Sequence, residues 1–145
     1  GLFDFNFRLS PIMPNLKAKS EENIHAANLL IDKSLFTASV HCSYYAAFQM
    51  SKYVLANFCD VGYKEQDNNS KGQGSHQYVS TVMSNNLEKK NRFYMIDYNR
   101  HYKTIKYLRN KADYSTDFID KEEAKEALES SNGIIRLLIS KYCEL

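Results

Sequence analysis

Ser43-Tyr44-Tyr45-Ala46-Ala47-Phe48 lies inside a segment, Ser34 to Cys59, that carries one charged side chain, Lys52. A helix that is apolar nearly all round is buried on most of its sides. The segment is therefore read as the central helix of a bundle, running roughly from Leu35 to Cys59. It is not a membrane span, because Ser39, His41, Ser43, Gln49, Ser51 and Asn57 interrupt its apolar residues. Ala46 and Ala47 let neighbouring helices approach closely. Tyr44 and Tyr45 bring hydroxyls that need partners when buried. Two readings of these phenols stand open: core tyrosines hydrogen-bonded to backbone, or the wall of a site between helices.

The pattern on either side is helical throughout. The chain holds only five glycines and two prolines, and strand-like alternation is nearly absent after residue 8. A first helix is expected from about Asn15 to Lys33, with Leu16, Ile24, Ala27, Leu30 and Ile31 on its apolar line. A polar loop from Asp60 to Gly74 follows the central helix. A third helix starts near Ser75, a candidate N-cap, and carries Val79, Val82 and Met83. Ser84 to Asn91 reads as another polar break. A fourth helix spans about Phe93 to Tyr114. A fifth begins after Asp120, where Asp120-Lys121-Glu122-Glu123 reads as a capping box. Its stripe includes Ala124, Ala127, Leu128, Ile134, Leu138 and Tyr142. Short loops between long helices predict an all-α, antiparallel up-and-down bundle of four to five helices. The domain covers residues 15–145. Residues 1–14 read as an N-terminal arm, with Phe3, Phe5 and Phe7 alternating ahead of Pro11 and Pro14.

A chain of 145 residues, 43% hydrophobic and 25% charged, makes one globular domain with a real core. A net charge of +2 is far from the surplus of a protein that coats nucleic acid. Cys42, Cys59 and Cys143 form no C-x-x-C pair and suggest no disulfide framework. No leader-like pattern is visible, and a cytoplasmic location is expected. His25 and His41 show no metal-ligand spacing with each other or with cysteine. No metal and no cofactor is expected.

The fourth helix carries the most unusual residues, ending in Leu108-Arg109-Asn110-Lys111-Ala112-Asp113-Tyr114. Tyr94, Tyr98, Tyr102, Ile105, Arg109 and Ala112 fall on one broad face at about 100° per residue. Arg109 then lies at the margin of the apolar stripe. It needs a carboxylate, a stack of aromatic rings or an anionic ligand. Asp113, one turn later, can pair with it. An Arg–Asp lock closing the helix is one reading; a phosphate contact, suited to the guanidinium fork, is the other. In a regular helix Tyr114 points away from this face. Arg100, Lys103, Lys106 and Lys111 run along the same helix after Lys89, Lys90 and Arg92. Such a run is usually a solvated face, but Phe93, Tyr94, Tyr98, Tyr102 and Tyr107 interleave with it, as stacking plus phosphate contact requires. His101 is expected to pack inside. Gly72-Gln73-Gly74-Ser75-His76 lacks the lysine of a P-loop and reads as a connector.

The S-Y-Y-A-A-F run in the second helix, Ser75-His76 opening the third, and L-R-N-K-A-D-Y closing the fourth resemble a HEPN domain. The similarity covers about residues 15 to 142, in the branch with S-Y-Y-A and R-x-x-A-D-Y signatures. It implies an all-α bundle that usually dimerises, often with its site at the dimer interface. Many such proteins are metal-independent ribonucleases of toxin–antitoxin or defence systems, paired with a small nucleotidyltransferase. Others bind nucleotides or RNA, or act as scaffolds, without catalysis. Catalytic members use an Arg, commonly followed by Asn, with a His after four to six intervening residues. Arg109 and Asn110 match the first part, but Tyr114 stands at the first histidine position. Metal-free RNA cleavage needs a base and an acid that titrate near neutral pH, which imidazole supplies and an ordinary phenol does not. His76, at the third-helix position, is the substitute candidate; otherwise it is a helix-terminal residue bonded to a neighbouring helix.

The expected function is a homodimeric module without ribonuclease chemistry, holding a nucleotide, RNA or a partner protein. The alternatives are a ribonuclease toxin using Arg109 with an atypical second group, with Asn110 and His76 as further candidates, and a purely structural adaptor. The expected ligand-facing residues are Tyr44, Tyr45, His76, Tyr102, Arg109, Asn110, Asp113 and Tyr114.

Overall fold

Asn15 opens the first helix, α1 (Leu16–Asp32), by accepting a hydrogen bond from the Ala18 amide at 3.0 Å. The computed structural model describes residues 15–72 and 74–144, so the arm proposed for residues 1–14 lies outside the described residues. α1 ends in a tight reversal. Leu35 N–H bonds Leu30 O at 2.8 Å and Ser34 N–H bonds Ile31 O at 3.0 Å, with Ser34 in the left-handed region at φ 61°. This pair of bonds satisfies carbonyls that the helix end would otherwise orphan. It turns the chain straight into α2 (Phe36–Phe58).

Among the described residues α2 is followed by α3 (Tyr63–Asn69), α4 (Ser75–Lys90), α5 (Arg92–Tyr114) and α6 (Lys121–Leu138), and α6 continues into a π-helical turn, Ile139–Cys143. The fold is all-α, with one helix more than expected. The extra one, α3, lies in the stretch read as a polar loop. Its sequence has no apolar period, so periodicity cannot reveal it. One buried amide docks it instead: Gln66 Nε2 donates to Lys52 O at 3.1 Å and to Val61 O at 2.8 Å.

Two local expectations are corrected at α4. Ser75 is the first helical residue, and Gly74 occupies the cap with no side-chain bond. The expected break from Ser84 to Asn91 is helical up to Lys90. Val79, Met83 and Leu87 recur every four residues and are buried, so tertiary burial overrides the weak helix propensity of Ser84, Asn85 and Asn86. The capping box of α6 is present in full. Glu123 N–H donates to Asp120 Oδ1 at 2.8 Å, and Asp120 N–H donates to Glu123 Oε1 at 3.0 Å.

α2 packs against α1, α4, α5 and α6. Val40, Ala46, Met50, Val54 and Leu55 are fully buried along it. Ala46 and Ala47 do what the sequence suggested: with no bulk there, Ser20 on α1 comes close enough for its Oγ to donate to Ala46 O at 2.7 Å. α5 meets α6 just as closely at Gly133. A Cβ on Gly133 would lie 2.5 Å from His101 Nε2, so His101 is packed between helices as expected. Cys42, Cys59 and Cys143 are free thiols. Burial raises the pKa of all three, Cys59 to about 11, which makes them poor nucleophiles. No helix of the described residues is long and apolar enough to cross a membrane.

Ala46→Leu forces a larger side chain into the α1–α2 contact and separates Ser20 from its acceptor. A loss of about 1–3 kcal/mol is expected, measured by urea denaturation. An unchanged midpoint would show that this contact tolerates bulk.

Candidate functional site

Tyr102, Arg109 and Asp113 are separated by seven and four residues on α5, so they lie along one stripe of that helix. The stripe faces α2. Arg109 Nε lies 2.8 Å from Asp113 Oδ2. Nε is itself buried, and the contact is an ion pair without the alignment of a directed hydrogen bond. The guanidinium carbon sits 5.0 Å from the centre of the Tyr44 ring and 5.6 Å from that of Tyr114. Arg109 therefore has two of its three expected kinds of partner, a carboxylate and aromatic faces. The sequence reading placed Tyr114 away from this group. The terminal residue of α5 in fact turns its ring to Arg109, while remaining largely exposed.

Asp113 has a second partner that the sequence reading passed over. His41, on α2, brings Nε2 to 2.8 Å from Asp113 Oδ1. One carboxylate thus bridges a guanidinium of its own helix and an imidazole of the central helix. The sequence marks His41 only as a polar interruption of α2 without metal-ligand spacing. The available signal was its spacing: it precedes Tyr44 by three residues and shares its helix face. Among the described residues no three His, Cys, Asp or Glu side chains are arranged to hold a metal ion.

Tyr44 is the hub of the polar contacts. It is buried, and its hydroxyl bonds His76 Nδ1 at 2.9 Å and Tyr102 OH at 3.4 Å. The reading in which it bonds backbone is corrected: its partners are side chains from α4 and α5. His76, in the first turn of α4, is sandwiched by aromatic faces. Its ring stacks on Phe48 at 4.0 Å between centroids and on Tyr44 at 5.3 Å, with the Tyr45 edge at 5.6 Å. Burial lowers the His76 pKa, and the positive charges of Arg109 and Lys52 lower it further. Burial and the bond to Tyr102 push the Tyr44 hydroxyl above the ordinary phenol range, with Arg109 opposing. The hub therefore holds a neutral imidazole against a neutral phenol. Tyr102 stacks on Tyr98, whose hydroxyl bonds Ser51 at 2.9 Å.

The hub is filled. Between Phe48, Ser51, His76, Tyr98 and Tyr102 only about 10 Å³ remains, room for about one water molecule at most and for no ligand. A ligand must therefore approach at the outer edge, where the His41 side chain is 46% and Tyr114 is 74% exposed. Arg109, Asp113, Tyr114, Tyr44, Tyr45, Tyr102 and His76 are brought together with His41. Asn110 is not: it is exposed beside Tyr107, Lys111 and Tyr114, lining an open depression of about 370 Å³.

The family model for the HEPN domain matches residues 13–142. Neither the curated proteins nor the solved structures give a match.

His76 and His101 both bind a proton more weakly in the fold, chiefly because of burial. Their contribution to stability is complete above the unfolded pKa near 6.5 and is lost as the pH falls below it. The melting temperature is expected to fall from about pH 6.5 downward, and less steeply in His76→Gln. Parallel curves for the two proteins would remove His76 from this account.

Proposed function

The chain belongs to the HEPN domain family, and on that premise we propose that it is a homodimeric helical module that binds a phosphate-bearing ligand, a nucleotide or RNA, without cleaving it. The observation that carries this reading is the setting of Arg109. Asp113 pairs with the guanidinium from the Nε side, and the Tyr44 and Tyr114 rings lie near it, so the planar group is confined between a carboxylate and two rings. The two Nη groups are then a preorganised fork for phosphate oxygens. Exposed Tyr114 supplies a ring at the same edge on which a base can stack. A neutral His76 packed between rings supports the non-catalytic reading, since its Nδ1 is committed to the Tyr44 hydroxyl.

A specific observation favours a second reading, the metal-independent ribonuclease. His41 at Asp113 supplies an imidazole beside Arg109, from α2, in place of the histidine the family pattern puts near position 114. A nucleotidyltransferase partner, a toxin–antitoxin or defence setting and a cytoplasmic location are proposed from the family alone.

Calorimetric titration with adenosine monophosphate tests the main reading. Removing charged hydrogen bonds worth about 1.5–3 kcal/mol predicts roughly 10-fold or greater weakening in Arg109→Ala. Equal binding by the two proteins would leave Arg109 as a structural lock. Incubation with RNA separates the second reading: cleavage lost in both Arg109→Ala and His41→Ala would replace the non-catalytic assignment. Sedimentation of the wild type should give twice the chain mass.

A further inference from the structure

The face of the molecule formed by α4 and α5, on the other side of Tyr102 from the filled hub, carries an open groove of about 430 Å³. That volume lies within the range of small-ligand sites. The side chains that line it are polar in type and one-sided in charge. Gln77 and Asn85 come from α4, and Asn99, Tyr102, Lys103 and Lys106 from α5; the lining contains no carboxylate. α4 has one acidic residue, Glu88, which is not part of the lining. The acidic residues of α5 are both engaged elsewhere, Asp97 by Arg100 and His101, and Asp113 by Arg109 and His41.

The basic run of α5 is not uniform once its partners are known. Arg100 is paired with Asp97, and Lys111 with Glu123 at 2.6 Å. Lys103 and Lys106 meet no carboxylate among the described residues. Lys106 has only a long contact, 3.5 Å, to the Gln77 amide oxygen. Two uncompensated ammonium groups thus face the same groove. One turn from Lys103 along α5, outside the groove lining and at the edge of the neighbouring depression, stands Tyr107, which is 66% exposed. A large aromatic ring left in water next to free cations is the pairing that single-stranded nucleic acids use, ring for base and cation for phosphate.

We propose that the α4–α5 groove is a second binding site, separate from Arg109, that takes a single-stranded nucleic acid with its phosphates on Lys103 and Lys106 and a base on Tyr107. The amides of Gln77, Asn85 and Asn99 favour this occupant over an acidic peptide. Each amide offers both donors and acceptors. Base edges answer both, whereas a carboxylate side chain accepts only. A duplex is disfavoured because its stacked bases leave no free face for Tyr107. The site does not depend on Arg109 binding phosphate.

Fluorescence anisotropy with a labelled oligo-uridine RNA tests it. The wild type should bind, and Lys103→Gln/Lys106→Gln should bind at least roughly 10-fold more weakly at low salt. Loss of two phosphate contacts should lower the slope of log affinity against log salt by about 1.4. Both positions are exposed, so the variant is expected to keep the wild-type circular dichroism spectrum. Arg109→Ala, run in parallel, should retain oligonucleotide binding even where it loses adenosine monophosphate. The proposal is overturned if the wild type does not bind, or if the double variant matches it in affinity and salt slope. It is equally overturned if binding is lost in Arg109→Ala alone, or if polyglutamate competes as well as unlabelled RNA.

Discussion

A large buried hydroxyl is costly to leave without a partner, and in this molecule that cost ties the helices together at Tyr44. An unpaired buried polar group costs about 1–3 kcal/mol, and Tyr44 lies on a helix covered on nearly all sides. Its hydroxyl stands a full ring's length away from its own backbone, so the partner has to come from a neighbouring helix. His76 and Tyr102 provide it. The same logic repeats along the bundle: Ser20 reaches Ala46 O, and Tyr98 reaches Ser51. Each bond has a fixed length and direction, so each pins the register of one helix against the next, which apolar packing alone does loosely. The orientation of Arg109 follows, because its guanidinium lies against the ring that these bonds hold still.

What the sequence made legible is what periodicity and capping chemistry encode. α2 was visible because a long segment with one charge has no solvent face. α6 was visible because Asp120 and Glu123 stand at capping-box spacing. α3 was not, since polar contacts anchor it, among them buried Gln66 to the backbone of Lys52 and Val61, and no pattern marks such residues in advance. The continuation of α4 through Ser84 to Lys90 was hidden for a related reason: local propensity spoke against it, and only the burial of Met83 and Leu87 decided it.

The candidate site divides along the same line. The Arg109–Asp113 pair could be read from a spacing of four on one helix. His41 could not be joined to it from sequence, because the two lie 72 positions apart and meet only when α2 and α5 pack. Tyr114 escaped for a geometric reason. At the last residue of a helix a long aromatic side chain is free to fold back over the preceding turn, and the projection of a regular helix does not describe it.

The two proposed surfaces would attract an anion in different ways. At the Arg109 edge a full negative charge, Asp113, lies 2.8 Å from the guanidinium. The net charge of that pair is zero, so long-range attraction is weak and recognition rests on short, directed bonds from a fixed fork. In the α4–α5 groove Lys103 and Lys106 meet no carboxylate among the described residues, so attraction there would be long-ranged, tolerant of sequence and screened by salt. A flexible charged strand would be gathered by the groove and held in register at the edge. Tyr102 is the wall between the two, lining the groove on one side and bonding Tyr44 on the other. A ligand spanning both surfaces would therefore draw its on-rate from the lysines and its selectivity from Arg109.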